Sequence, residues 1–227
     1  MNRLRCLTFC LALLVSSTSL AKAQNDFKLP NPSFTGKISI EAAMTKKKSV
    51  RHFANDPLTL EQVSQLLWAA NGALPVDAIS GATIKTLPSA GGIYPLEIFL
   101  LTGDKSVKGL PAGIFHYNSL SNSLLRIFSE DVRMALAQAA FSQLWMASAP
   151  VTIVIGAVFS KSTAKYGARG IQYTFMESGA SNQNLYLQAE ALGLRIGTVG
   201  AFEENAVSSA MKTPAGITPM LLVPVGK

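Results

Sequence analysis

Three observations predict an α+β fold. Helical and strand-like patterns are interspersed without the regular alternation that a doubly wound sheet requires. Residues 151–158 form a nearly continuous apolar run, the mark of a strand covered on both faces. Residues 170–192 have the length and periodicity of a long buried helix, with Leu185, Ala189 and Leu192 in register. The chain has 227 residues, 48% of them apolar and 15% charged, with 17 Gly and 11 Pro. That is enough for one core and too little for two, and it excludes disorder, collagen and coiled coil.

The elements follow in chain order. Residues 24–37 carry Pro30, Pro32 and Gly36 with few apolar anchors and predict an extended N-terminal arm. From 38 the spacing of Ile38, Ile40, Ala42, Ala43 and Met44 predicts a helix ending near the lysines, whose charge suits a helix C-terminus. Thr59-Leu60-Glu61-Gln62 reads as a capping box, and Val63, Leu66, Leu67 and Ala70 follow at i, i+3, i+4 and i+7. Residues 71–87 read as loop. Strands are expected at 96–101, at 114–117 and 124–128 as a hairpin around 118–123, and at 220–225, interrupted by Pro224. Ser129 is the expected cap of a helix running to about Phe141, and Gly193 the stop of the long helix. No repeat or linker splits residues 38–227, which read as one domain.

The first 23 residues stand apart. Arg3 and Arg5 form a basic start, residues 6–15 are an apolar run broken only by Thr8, and Ala21-Lys22-Ala23 is an A-x-A cleavage site before Gln24. This is the pattern of a cleaved signal peptide, and the apolar run is half the roughly 20 residues that a membrane span needs. The expectation is a periplasmic or secreted protein without a stable membrane anchor. Cys6 and Cys10 would leave with that segment, excluding a disulfide scaffold, a Cys nucleophile and a Cys-based metal site. Without Arg3, Arg5 and Lys22, 17 basic residues face 13 acidic ones, a balance of +4 with no nucleic-acid signature.

Chemistry is narrowed further by what is missing. The two histidines, His52 and His116, are far apart in sequence, and HExxH, G-x-S-x-G, Walker and G-x-G-x-x-G patterns are absent, so no metal site is expected. His116, between Phe115 and Tyr117 in a strand, reads as structural. Two motifs suit an anionic, planar cofactor. Lys47-Lys48-Ser49-Val50-Arg51 offers three cations and a hydroxyl, enough to grip a phosphate, although a solvated helix end has the same composition. Pro88-Ser89-Ala90-Gly91-Gly92 is a small-residue turn before a strand, where a ring could approach the backbone closely.

Residues 47–53 (KKSVRHF), 66–71 (LLWAAN), 88–96 (PSAGGIYPL), Lys165-Tyr166-Gly167, 177–189 (ESGASNQNLYLQA) with Gly193-Leu194, and 198–202 (TVGAF) occur in one order. Together they resemble the nitroreductase-like flavoprotein superfamily, and within it the SagB-type dehydrogenases, a subgroup that includes peptide azoline oxidases. The resemblance implies a domain-intertwined α+β homodimer, with a mixed, mostly antiparallel central sheet flanked by helices, that binds FMN at the subunit interface and runs ping-pong redox chemistry. It implies that Lys47, Ser49 and Arg51 hold the phosphate and ribityl chain. Pro88, Ser89, Ala90 and Gly91 would line the isoalloxazine ring, and Val199, Gly200 and Ala201 would present backbone groups near its reactive edge. Asn184 is a further candidate, though core packing explains its helix equally well.

Lys165 and Tyr166 match a Lys-Tyr pair that azoline-oxidising relatives use for proton removal, and a surface loop before a helix would also suit them. The sequence departs from the family at Lys47, where Arg is usual, and at Ala180, where His is common. It also ends at Lys227, where many relatives continue to a phosphate-reaching basic residue, a role that Lys227 or Lys48 could take. The leading expectation is an exported FMN oxidoreductase acting on a small electrophilic or heterocyclic substrate, with an electron donor left open and NAD(P)H able to serve in vitro. A non-catalytic flavin- or ligand-binding module and a peptide azoline dehydrogenase are the alternatives.

Overall fold

The computed structural model describes residues 25–75, 81 and 83–227, so the segment read as a signal peptide lies outside it. Seven strands form one sheet: β1 Asp26–Lys28, β2 Leu96–Thr102, β3 Gly113–Asn118, β4 Ser123–Phe128, β5 Val151–Ala157, β6 Arg195–Ile196 and β7 Thr218–Gly226. Their order across the sheet is β1-β4-β3-β2-β5-β7-β6. Among the described residues every ladder is antiparallel, in keeping with the mostly antiparallel sheet expected. Parallel pairing occurs only as the isolated bridges Ser49 to Ile196 and Leu58 to Val107.

Alternation along the strands builds two cores. Ile98 and Leu100 of β2, Ile153 and Ile155 of β5, and Val223 and Val225 of β7 share one face. Phe99, Leu101, Val154 and Leu222 occupy the other. All seven residues of β5 are buried, as its apolar run requires. On the first face lie α2 (Leu60–Asn71) and α5 (Arg169–Ala191), with α1 (Ile40–Lys46) beside α5. On the second lie α3 (Arg133–Ala139) and α6 (Glu204–Ala210). Each Leu or Ile fully buried in these faces contributes roughly 1.5–3 kcal/mol.

Helix α2 carries the capping box: Gln62 N donates to Thr59 Oγ1 at 3.2 Å and Thr59 N donates to Gln62 Oε1 at 3.0 Å. Helix α1 starts at Ile40 rather than Ile38, because the Ser39 hydroxyl accepts from Ala42 N at 3.1 Å. Ser129 caps nothing, since its carbonyl receives Arg126 Nη2 at 3.0 Å, and α3 begins only at Arg133, whose N–H donates to the Asp131 carboxylate at 3.0 Å. That helix ends at Ala139, short of Phe141 and Ser142, both at positive φ. The arm contributes β1, paired with β4. Strand β7 runs through Pro224, whose carbonyl accepts from Gly197 N at 3.1 Å. Its ring nitrogen therefore faces the short β6 side of the sheet, where a missing donor costs least.

Candidate functional site

Helix α4 (Phe159–Tyr166), not foreseen from the sequence, carries Lys165 and Tyr166 in its last turn. Gly167 at φ 55° turns the chain directly into α5. The two helices touch at backbone distance, because a Cβ on Gly170 would lie 2.6 Å from the Ser162 carbonyl group, and Thr174 Oγ1 donates to Ser162 Oγ at 3.1 Å. The Tyr166 ring packs edge-on against Tyr173 of α5 at 5.1 Å. The Lys-Tyr pair thus stands on a rigid helical corner and not in a loop.

That corner meets the Pro88–Gly91 turn. Gly91 sits at φ 60°, and a side chain there would collide with Tyr166 Oη and lie 2.7 Å from Lys165 Nζ. Ser89 fixes the turn from within, accepting from Tyr94 N at 2.8 Å and donating to Glu177 Oε2 of α5 at 2.5 Å. Pro88, Ser89 and Ala90 with Tyr173, Met176 and Glu177 line a cleft of about 330 Å³. Burial pushes the Glu177 carboxyl up to about 7, against the opposing pull of the Ser89 hydrogen bond and of Lys85. Its Oε1 is buried without a partner among the described residues. No role for Glu177 was read from the sequence, where the available signal was an acid in the small-residue stretch Glu177-Ser178-Gly179-Ala180-Ser181 of a largely buried helix.

The cationic segment lies elsewhere. Ser49 hydrogen-bonds Tyr186 Oη of α5 at 2.8 Å, Lys47 Nζ stands 5.4 Å over the Tyr186 ring, and the Arg51 guanidinium lies 5.8 Å over Trp145. Val50 N donates to Ile196 O at 2.8 Å, which sets this segment beside β6 and the 198–202 stretch. Gly197 is required there, since its Cβ would fall 2.6 Å from Val50 O and 2.9 Å from Trp145. Val199 is buried and bridged to Leu222, whereas Gly200 and Ala201 are exposed, and among the described residues nothing accepts from their N–H groups. Lys227 O accepts from Ala54 N at 2.7 Å, which ties the end of β7 to the chain after Arg51.

Asn184 has a different task. Its amide donates to Ala69 O at 3.1 Å and Thr86 O at 3.0 Å, tying α5 to the end of α2 and to the strand of chain leading into Pro88. Ala180, where a His is common in relatives, packs against the core.

Both groups of residues are anchored on α5, at Glu177 and Tyr186. Nine residues separate those anchors, about 13 Å along the axis and half a turn around it. The Pro88–Gly91 turn with Lys165 and Tyr166 therefore faces one side of the helix, and the cationic segment with Gly200 and Ala201 the other.

The antiparallel sheet sandwiched by helices is the nitroreductase fold, and the family match below makes the chain a nitroreductase-family oxidoreductase. The sequence profile of the nitroreductase family matches residues 44–227, and the chain belongs to that family. It is 40% identical over 190 residues to MJ1384 of Methanocaldococcus jannaschii, a candidate nitroreductase, covering 84% of this chain and 91% of that one. It is 25% identical over 209 residues to the microcin B17-processing protein McbC of Escherichia coli, covering 85% and 72%. Among solved structures, a candidate nitroreductase from Ralstonia eutropha superposes with TM-score 0.76 at 23% identity over 92% of this chain and 91% of that one. A chain of the E. coli McbBCD microcin synthetase complex superposes with TM-score 0.66 at 23% identity, over 97% and 84%.

Proposed function

We propose that the chain is an exported, FMN-dependent oxidoreductase that works as a homodimer, with ping-pong redox chemistry on a small electrophilic or heterocyclic substrate. The observation that carries this reading is the contact of the Pro88–Gly91 turn with Lys165 and Tyr166, which sets an open small-residue surface directly beside an amine and a phenol.

The donor set fits FMN. Lys47 and Arg51 are exposed cations held over aromatic rings, and among the described residues neither has a carboxylate in ion-pair contact. Together with the Ser49 hydroxyl they suit a phosphate dianion. The free N–H groups of Gly200 and Ala201 suit the carbonyl and nitrogen edge of a ring, and the Pro88–Gly91 backbone suits its face. When bound, FMN supplies the two-electron chemistry itself, and the protein positions and exchanges protons. Tyr166 Oη and Lys165 Nζ are the groups able to give or take a proton beside the ring-lining turn.

The placement on α5 supports the homodimer reading. One chain presents its two half-sites on opposite sides of the helix, so a complete site needs the turn of one copy beside the cationic grip of the other. Ile171, Phe175 and Met176 of α5 and Ile40 and Met44 of α1 are exposed apolar side chains suited to that contact.

Peptide azoline dehydrogenation is the second reading, favoured by the same Lys165-Tyr166 corner and by the similarity to McbC. Lys165 as a free amine would remove a ring proton at Nζ while Tyr166 orients it. Lys165→Ala separates the two readings: azole formation collapses if Nζ is the base, while dye reduction survives.

Titrating the purified protein with FMN, removing excess by gel filtration and recording the visible spectrum tests the cofactor. Retained flavin at about one per chain is expected, and a folded protein that keeps none overturns the reading. Export is tested by fractionating expressing cells, with a periplasmic or secreted product beginning at Gln24 as the expected result.

A further inference from the structure

On the far side of Tyr94 from Ser89 lies a second pocket of about 580 Å³, outside both half-sites. Its polar wall is one cluster. Glu97 accepts from Lys161 Nζ at 2.7 Å and pairs with His116 Nε2 at 2.9 Å. Lys85, half-buried, stands 5.3 Å over the Tyr94 ring and has no ion-paired carboxylate among the described residues. Burial holds the Lys85 amine below the usual lysine value; Glu97 opposes that shift, Lys161 adds to it, and Glu177 opposes it. With Glu97 already shared between two partners, the pocket keeps an excess positive charge.

Two further features specify more than an anion. Asn71 is 4% exposed and its Nδ2 donates to Leu96 O at 3.2 Å, which fixes the amide and leaves Oδ1 buried without a donor. An acceptor in that state calls for an N–H or O–H. Thr83, Asn118 and Ser119 add polar groups to the wall, and its apolar side carries Leu120, 73% exposed, and Leu125, 48% exposed, with the His116 ring stacked on Phe99 at 4.9 Å. Lys161 lies one helical turn before Lys165, so the pocket abuts the Lys-Tyr corner.

We propose that this pocket binds a small amphiphilic carboxylate, its anionic end between Lys85 and Lys161, its apolar body along Leu120 and Leu125, and a hydroxyl or amide N–H of that body on Asn71 Oδ1. The site is built from this chain's own side chains and does not depend on flavin.

Calorimetric titration of the purified full-length protein with 3-(4-hydroxyphenyl)propanoate, with and without added FMN, tests it. The acid is expected to bind in both states, at least tenfold tighter than 3-(4-hydroxyphenyl)propan-1-ol and several-fold tighter than 3-phenylpropanoate. Lys85→Gln and Lys161→Gln, checked for wild-type circular dichroism and melting, should each weaken the acid about tenfold and leave the alcohol unchanged. Equal binding of acid and alcohol, wild-type affinity in both folded variants, or no heat at millimolar acid overturns the proposal. Retained flavin in the same samples would then leave the oxidoreductase reading standing.

Discussion

Glu177 shows how a single buried acid links the active turn to stability. Its carboxyl accepts one hydrogen bond, from Ser89, and its other oxygen has no partner among the described residues, so ionisation would leave a bare charge in an apolar surround. The folded protein therefore keeps the proton to about pH 7, whereas the unfolded chain loses it near 4.5. The sign follows: this site's stability is complete below about pH 4.5 and is lost as pH rises through 7, by at most about 3 kcal/mol. In Glu177→Gln that loss is absent. Melting curves at pH 5 and 7.5 should show the variant gaining several degrees on wild type at the higher pH, and an unchanged difference at both would refute it. Gly91 belongs to the same scale. Gly91→Ala forces a Cβ against Lys165 and Tyr166 at a positive φ, so an activity loss of tenfold or more is expected, with a destabilisation of about 1–2 kcal/mol read by urea titration.

Among elements, the α4–α5 corner decides where Lys165 and Tyr166 stand. Gly170→Ala places a Cβ 2.6 Å from the Ser162 backbone, so α4 must move. A destabilisation of about 1–3 kcal/mol is expected, together with a loss of activity that added FMN does not restore. By contrast Thr59→Ala, at the cap of α2, should cost about 1 kcal/mol and leave activity untouched, as denaturation and assay of the same sample would show. Legibility in the sequence followed the same line. Helix α2 and strand β5 were readable because cap, period and burial agree within them. Helix α4 was not, since Phe159-Ser160-Lys161-Ser162-Thr163 offers hydroxyls in place of an apolar stripe and its order comes from packing on Gly170 and Thr174. Helix α6 was missed for a like reason: only Val207 and Met211 bury deeply there. The Ser129 cap failed because α3 starts four residues later, at Arg133, whose N–H the local Asp131 carboxylate accepts.

At the scale of the whole molecule, the sequence motifs name the pieces of the proposed site without saying how the fold places them. The turn at Pro88–Gly91 and the Lys165-Tyr166 pair, far apart in sequence, meet in the fold, and Lys47, Ser49 and Arg51 meet the 198–202 stretch. Only the half-turn between Glu177 and Tyr186 on α5 shows that these two groups face apart. If a second copy completes each site across α5, charge placed in its exposed apolar stripe must remove flavin as well as the dimer. Ile171 is 42% exposed and does not line the Pro88–Gly91 cleft, so Ile171→Lys costs the lone chain little, whereas in a dimer it buries an ammonium without a partner. Sedimentation equilibrium should give a dimer for wild type and a folded monomer for the variant, and gel-filtered variant should retain little FMN. A monomeric variant that keeps one flavin per chain would place the whole site within a single chain and refute the shared-site arrangement.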